Sequence, residues 1–100
     1  MEDVIKRLLG ELKLEAYGER SHGGKQMSPN IFHFKRLAEE IFKVLMNNSS
    51  GNISYQINDI ERDLMLKMDY AIGRRQIDDK LYNMLLEFVD IIENAIRLIT

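Results

Sequence analysis

The residues that could carry chemistry lie in a few short stretches of this 100-residue chain. The first is YGERSHGGKQMSP, residues 17–29, with Gly18, Gly23, Gly24, Lys25 and one of the two histidines, His22. A phosphate-cradling loop needs G-x-x-x-x-G-K-[ST], so that backbone N–H groups face the phosphates, lysine reaches them and a hydroxyl holds magnesium. Gly18 and Gly23 have the right separation, but Gly24 stands where the lysine is required and no hydroxyl follows. Such a loop also leaves a buried strand and opens a helix, whereas this one follows a helical pattern. We read it as a connector whose glycines relieve strain, and whose Arg20, His22 and Lys25 could meet a phosphate backbone.

The other histidine, His33, has no carboxylate or second histidine one helical turn away to complete a metal pair or a general base. We expect it at the edge of an apolar helix face. There is no H-E-x-x-H and no G-x-S-x-G, and the chain has no cysteine to act as nucleophile or zinc ligand. Asp78 and Asp79 resemble a metal pair in type, but they stand where a helix needs its N-cap. No catalytic residue, metal site or cofactor is therefore expected, and the chain is read as a non-enzyme.

What remains is basic. Lys67, Arg74 and Arg75 cluster in LMLKMDYAIGRR, residues 64–75. Cations late in a helix suit its dipole; the same three residues suit phosphate contacts. Charge along the chain supports the second use only locally. Residues 1–51 carry 8 basic and 7 acidic side chains, residues 52–75 carry 4 of each, and residues 76–100 carry 2 and 5. The overall net charge is −2, so this is not an ordinary basic nucleic-acid binder. Any nucleic-acid contact should come from the first three quarters of the chain.

These residues must be positioned by helices. Val4, Ile5, Leu8, Leu9 and Leu12 recur at helical spacing, giving a first helix over about residues 2–16, with Gly18 as its stop. Ser28 and Pro29 read as the N-cap and first position of a second helix over 29–46. Its seam is Ile31, Phe34, Ala38, Ile41 and Leu45, widened by Phe32, Leu37, Phe42 and Val44. Lys35–Glu39 and Arg36–Glu40 are expected as i,i+4 pairs on its outer face. NNSSGN, residues 47–52, ends it. A third helix over 53–72 is lined by Ile53, Ile57, Ile60, Leu64, Met68 and Ala71, and Gly73 is expected beyond its end in a left-handed conformation. A fourth helix over 78–99 has Leu81, Leu85, Phe88, Ile92, Ala95 and Ile99 at heptad spacing. Tyr82, Met84, Val89, Ile91, Ile96 and Leu98 flank this seam, and a helix so broadly apolar needs more than one neighbour. The other three helices or a second copy of the chain could supply the cover. Phe88, Val89, Ile92, Ile96 and Ile99 are accordingly expected to line an oligomer or assembly interface. No strand is expected. The fold class is all-α: one domain, a bundle of about four helices with a flexible loop over 17–28. Without cysteine, an apolar leader or a run of eighteen apolar residues, the expectation is a cytoplasmic protein with no membrane association.

The stretch LMLKMDYAIGRR resembles the LKxKxxYxAGR element of the helical small subunit of type III CRISPR–Cas effector complexes. LAEEIFKVLMNNSSGNISYQINDI, before it, resembles that family's helix, loop and TTSQIR-type helix start at Gln56 and Ile57. LLEFVDIIENAIRLI, after it, is similar to the family's last helix at Phe88, Asp90, Glu93 and Ala95. The likeness covers residues 37–99 in order. Asn58 stands where that family has arginine, and the two central elements nearly abut. The resemblance implies a non-catalytic subunit that helps hold a target strand against a guide, with Lys67, Arg74 and Arg75 at the matching basic positions. The working expectation is thus an accessory subunit of a nucleic-acid-handling complex, of this kind or of a polymerase type. The alternative is a protein-interaction module, such as a small viral or regulatory homodimer, that binds a protein without nucleic acid.

Overall fold

A computed structural model of the chain describes residues 2–17, 21–22, 25–26, 31–73 and 79–99. Among them are four α-helices, as the apolar periodicity requires: α1 (Glu2–Tyr17), α2 (Ile31–Asn47), α3 (Asn52–Gly73) and α4 (Asp79–Arg97). Glu2 and Asp3 in the first turn of α1 favour the positive end of its dipole. The proposed caps Ser28, Pro29 and Asp78 and the proposed stop Gly18 lie outside the described residues.

One expectation about the connector is corrected. Ser21–His22 (β1) pairs antiparallel with Lys25–Gln26 (β2), with Ser21 opposite Gln26 and His22 opposite Lys25. The sequence between them is Gly23–Gly24, which lie outside the described residues. A ladder two residues long leaves the all-α class unchanged.

The helices form a ring in which α1 packs on α2, α2 on α3, α3 on α4 and α4 back on α1. α4 also touches α2 across the centre. Each helix contributes one stripe to a single core: Ile5, Leu8, Leu12 and Ala16 from α1; Phe34, Leu37, Ala38, Ile41, Phe42 and Leu45 from α2; Ile57, Leu64 and Met68 from α3; Leu85, Phe88, Val89, Ile92 and Ala95 from α4. Met46, Met65 and Met84 pack half-buried around its margin, where an unbranched, polarisable side chain fills irregular gaps. Val4, Phe32 and Ile53, placed on the apolar stripes by their spacing, are exposed. Val4 stands at the border of its stripe, Phe32 points away from the buried face of α2, and Ile53 lies in the first turn of α3.

The α2–α3 corner is tied locally. The Asn48 and Ser49 N–H groups donate to the carbonyls of Leu45 (3.2 Å) and Met46 (3.5 Å). The Asn48 side-chain amide donates to the Val44 carbonyl (2.8 Å). The Ser49 hydroxyl donates to the Met46 carbonyl (3.3 Å) and lies 2.8 Å from the Ser54 hydroxyl. These bonds satisfy carbonyls that the end of α2 would otherwise leave open. Gly51, at φ 62°, takes the left-handed turn into α3, and its carbonyl accepts the first helical bond, from the Tyr55 N–H (3.4 Å). The left-handed glycine is therefore Gly51; Gly73 is instead the last helical residue of α3. Helix α4 ends in a tighter turn, with Leu98 and Ile99 donating to Ala95 and Ile96.

Polar links join the ring. Lys13 of α1 meets Glu93 of α4 at 3.0 Å, and Arg97 reaches the same carboxylate at 3.8 Å. Lys35 does not turn to Glu39 on its own helix but reaches Asp69 of α3 at 2.7 Å. Arg36 and Glu40 do not pair either among the described residues. Helix spacing permits the Lys35–Glu39 pair, but Asp69 on the adjacent helix takes the same long side chain.

Burial, with repulsion from Glu39 added, raises the Glu61 carboxyl from its ordinary value. The native state therefore holds this proton more tightly than the unfolded chain does. Ionisation then costs stability as pH rises through the ordinary carboxylate range and the raised native value, and acidification removes that cost. Glu61→Gln should raise the melting temperature by about 2 °C at neutral pH, the scale of a surface substitution in a domain this size. The gain should shrink on acidification into the carboxylate range. A gain independent of pH would show that Glu61 ionisation is not its source.

Candidate nucleic-acid interface

On α3, Ile57, Leu64, Met68 and Ala71 face the core. The 3.6-residue period then turns Tyr55, Leu66 and Tyr70 to the opposite side, where all three are exposed. Lys67 lies between the two faces and is also exposed. On α4, Met84, Glu87 and Phe88 occupy one face of the early turns. Leu66, Lys67 and Tyr70 thus form one wall of an open groove of about 280 Å³, and Met84, Glu87 and Phe88 form the other. Leu66 is 65% and Tyr70 57% exposed at the rim, while Phe88, only 2% exposed, belongs to the core beneath. The groove is apolar along its length and carries one cation and one carboxylate on opposite walls.

Lys67 is bonded to Asp63 on its own helix at 3.2 Å, with both groups exposed. Such a pair contributes roughly 0.2–1 kcal/mol, too little to keep the ammonium from a phosphate. The dipole of α3 does not account for Lys67, which stands six positions before the last helical residue, Gly73, outside the final turn where that field acts. Arg74, Arg75 and Arg20 lie outside the described residues, and Lys25 is described in its backbone alone. Of the proposed basic contacts, the structure places Lys67. Sequence reasoning did not single out Leu66 or Tyr70 as site residues. The signal was present: once the core stripe of α3 is drawn, both fall on its outer side.

The proposed interface residues of α4 divide in two. Phe88, Val89 and Ile92 are buried in the chain's own core, because α4 touches all three other helices. They could meet another chain only if the bundle opened. Ile96 and Ile99 pack half-buried against the same core. The broad apolar girth of α4 is thus covered largely within one chain.

His33 does find a carboxylate, from another helix. Its Nδ1 lies 3.2 Å from the Glu15 Oε2 of α1, and Glu15 is 3% exposed. The pair ties the end of α1 to the start of α2. Among the described residues, no three His, Asp or Glu side chains are grouped to hold a metal ion. Also among them, no helix is long and apolar enough to cross a membrane. Compared with known proteins, the chain matches no family model, no curated protein and no solved structure.

Proposed function

We propose that this chain is a non-enzymatic helical accessory subunit of a cytoplasmic nucleic-acid-handling complex. The observation that carries the reading is Lys67 beside Tyr70 on the rim of an open groove, directly ahead of Arg74–Arg75 in the chain. Cations interleaved with an exposed aromatic ring are what a nucleic-acid strand needs: positive charge for its phosphates and a flat apolar face for its bases. The likeness to the small subunit of type III CRISPR–Cas effector complexes supports the same reading, because its LKxKxxYxAGR-like stretch contains Lys67, Tyr70, Arg74 and Arg75. Glu87 on the opposite wall repels phosphate, so the strand's backbone would run along the α3 side. The test is an affinity pull-down of the tagged chain from its native host, with and without nuclease, read by mass spectrometry. A defined complex that nuclease disrupts is the expected result.

The apolar exposure of Leu66 favours a second reading, a protein-interaction module. It would return one protein, or a second copy of the chain, regardless of nuclease.

A further inference from the structure

We infer that the α3–α4 groove receives one unpaired base of a single strand and prefers a base carrying an exocyclic amino group. This rests on the nucleic-acid reading above and adds to it a strand form and a base class.

Size comes first. At about 280 Å³ the groove falls just below the roughly 300–1,000 Å³ of pockets that take drug-sized ligands. Along α3 it runs from Leu66 to Tyr70, about 6 Å at 1.5 Å per residue. A docked amphipathic helix anchors through i, i+4 and i+7 residues, about 10 Å of axis, and overruns it. A flat ring does not. A base held in a duplex cannot enter such a groove; one already unstacked can, at no pairing cost.

Charge complementarity gives the orientation. Tyr70 supplies the ring on which a base stacks, and stacking alone is indifferent to sequence. Lys67, on the same wall, reaches the phosphate attached to that base. Glu87, across the groove, is the unexpected member: a carboxylate weakens a purely phosphate-binding surface. Facing a base edge, it accepts hydrogen bonds, as acidic side chains do from the N4 amino group of cytosine. Adenine and guanine carry amino groups as well. Uracil and thymine offer one imino hydrogen flanked by two carbonyl oxygens, which a carboxylate repels.

Cytosine and thymine test this directly, since they differ little in size. Fluorescence anisotropy of the purified full chain with labelled oligo(dC) and oligo(dT), each of about twelve nucleotides, a length within the usual site sizes, should show oligo(dC) tighter by on the order of tenfold, as one charge-assisted hydrogen bond gives. Glu87→Leu should abolish that preference and leave the salt dependence of binding unchanged. Tyr70→Ala should weaken both strands alike, by on the order of tenfold or more. Both residues are exposed, so neither replacement removes core packing. Equal, salt-dependent binding of the two strands overturns the base-selective groove and leaves the nucleic-acid reading standing. Retention of the cytosine preference in Glu87→Leu overturns the role of the carboxylate. Binding of neither strand overturns both the groove and the reading it rests on.

Discussion

Replacing Phe34 with alanine is expected to lower the unfolding free energy by about 3–5 kcal/mol. Phe34 sits fully buried on α2, which like α4 touches all three other helices. Its ring lies 6.3 Å from that of Phe88 on α4, tilted by 45°, within the range where aromatic pairs add about 0.5–1.5 kcal/mol beyond area burial. Alanine removes that partner and leaves a cavity where α2 and α4 cross, and the loss grows with the volume that does not collapse. Domains of this kind hold about 5–15 kcal/mol in total, so the variant should lie near the edge of folding. Its melting temperature should fall by roughly 20 °C or more. Phe32, two positions away and 67% exposed, is the internal control. Phe32→Ala should cost about 1 kcal/mol or less. Thermal and urea melts followed by circular dichroism read both. Equal losses in the two variants would mean that α2 buries a different face from the one described.

Charge reversal at the basic cluster should have the largest effect on binding. Arg74→Glu and Arg75→Glu, combined with Lys67→Gln, are expected to weaken single-strand association by on the order of 10²–10³-fold at low salt. The logarithmic salt slope should fall by about 2, since each phosphate contact on a single strand contributes about 0.7. Lys67 contributes no core contact, and its ion pair with Asp63 is exposed, so its replacement should leave the melting temperature within a few degrees. An affinity and a salt slope matching the unaltered protein would remove these residues from the binding surface. In that case Leu66 and the apolar groove would carry the protein-interaction reading instead.

The two outcomes draw on parts of the chain that were unequally legible in its sequence. The seams of α2 and α4 were readable residue by residue, because a side chain every three or four positions is fixed to one face whatever surrounds it. Phe34, Ala38, Ile41 and Leu45 on α2, and Leu85, Phe88, Ile92 and Ala95 on α4, are buried as their spacing requires. The pairing of Ser21–His22 with Lys25–Gln26 was not legible, because the connector was read only for glycines that relieve strain. Gly73 and Gly51 both stand at helix ends, but the left-handed conformation went to Gly51, where the chain turns back within four residues and the side chains of Asn48 and Ser49 occupy the carbonyls of α2.

By itself the sequence determined four helices, the face each one buries and the local concentration of charge around residues 67–75. These follow from periodicity, composition and order along the chain, which need no neighbour to be defined. The tertiary structure alone decided which polar groups meet. It sent Lys35 to Asp69, brought His33 to a buried Glu15, and covered Phe88, Val89 and Ile92 within one chain. It also set Tyr70 and Lys67 across from Glu87. Each of these depends on which helices become neighbours and at what height they pass. That is a property of the packed core and not of any one helix.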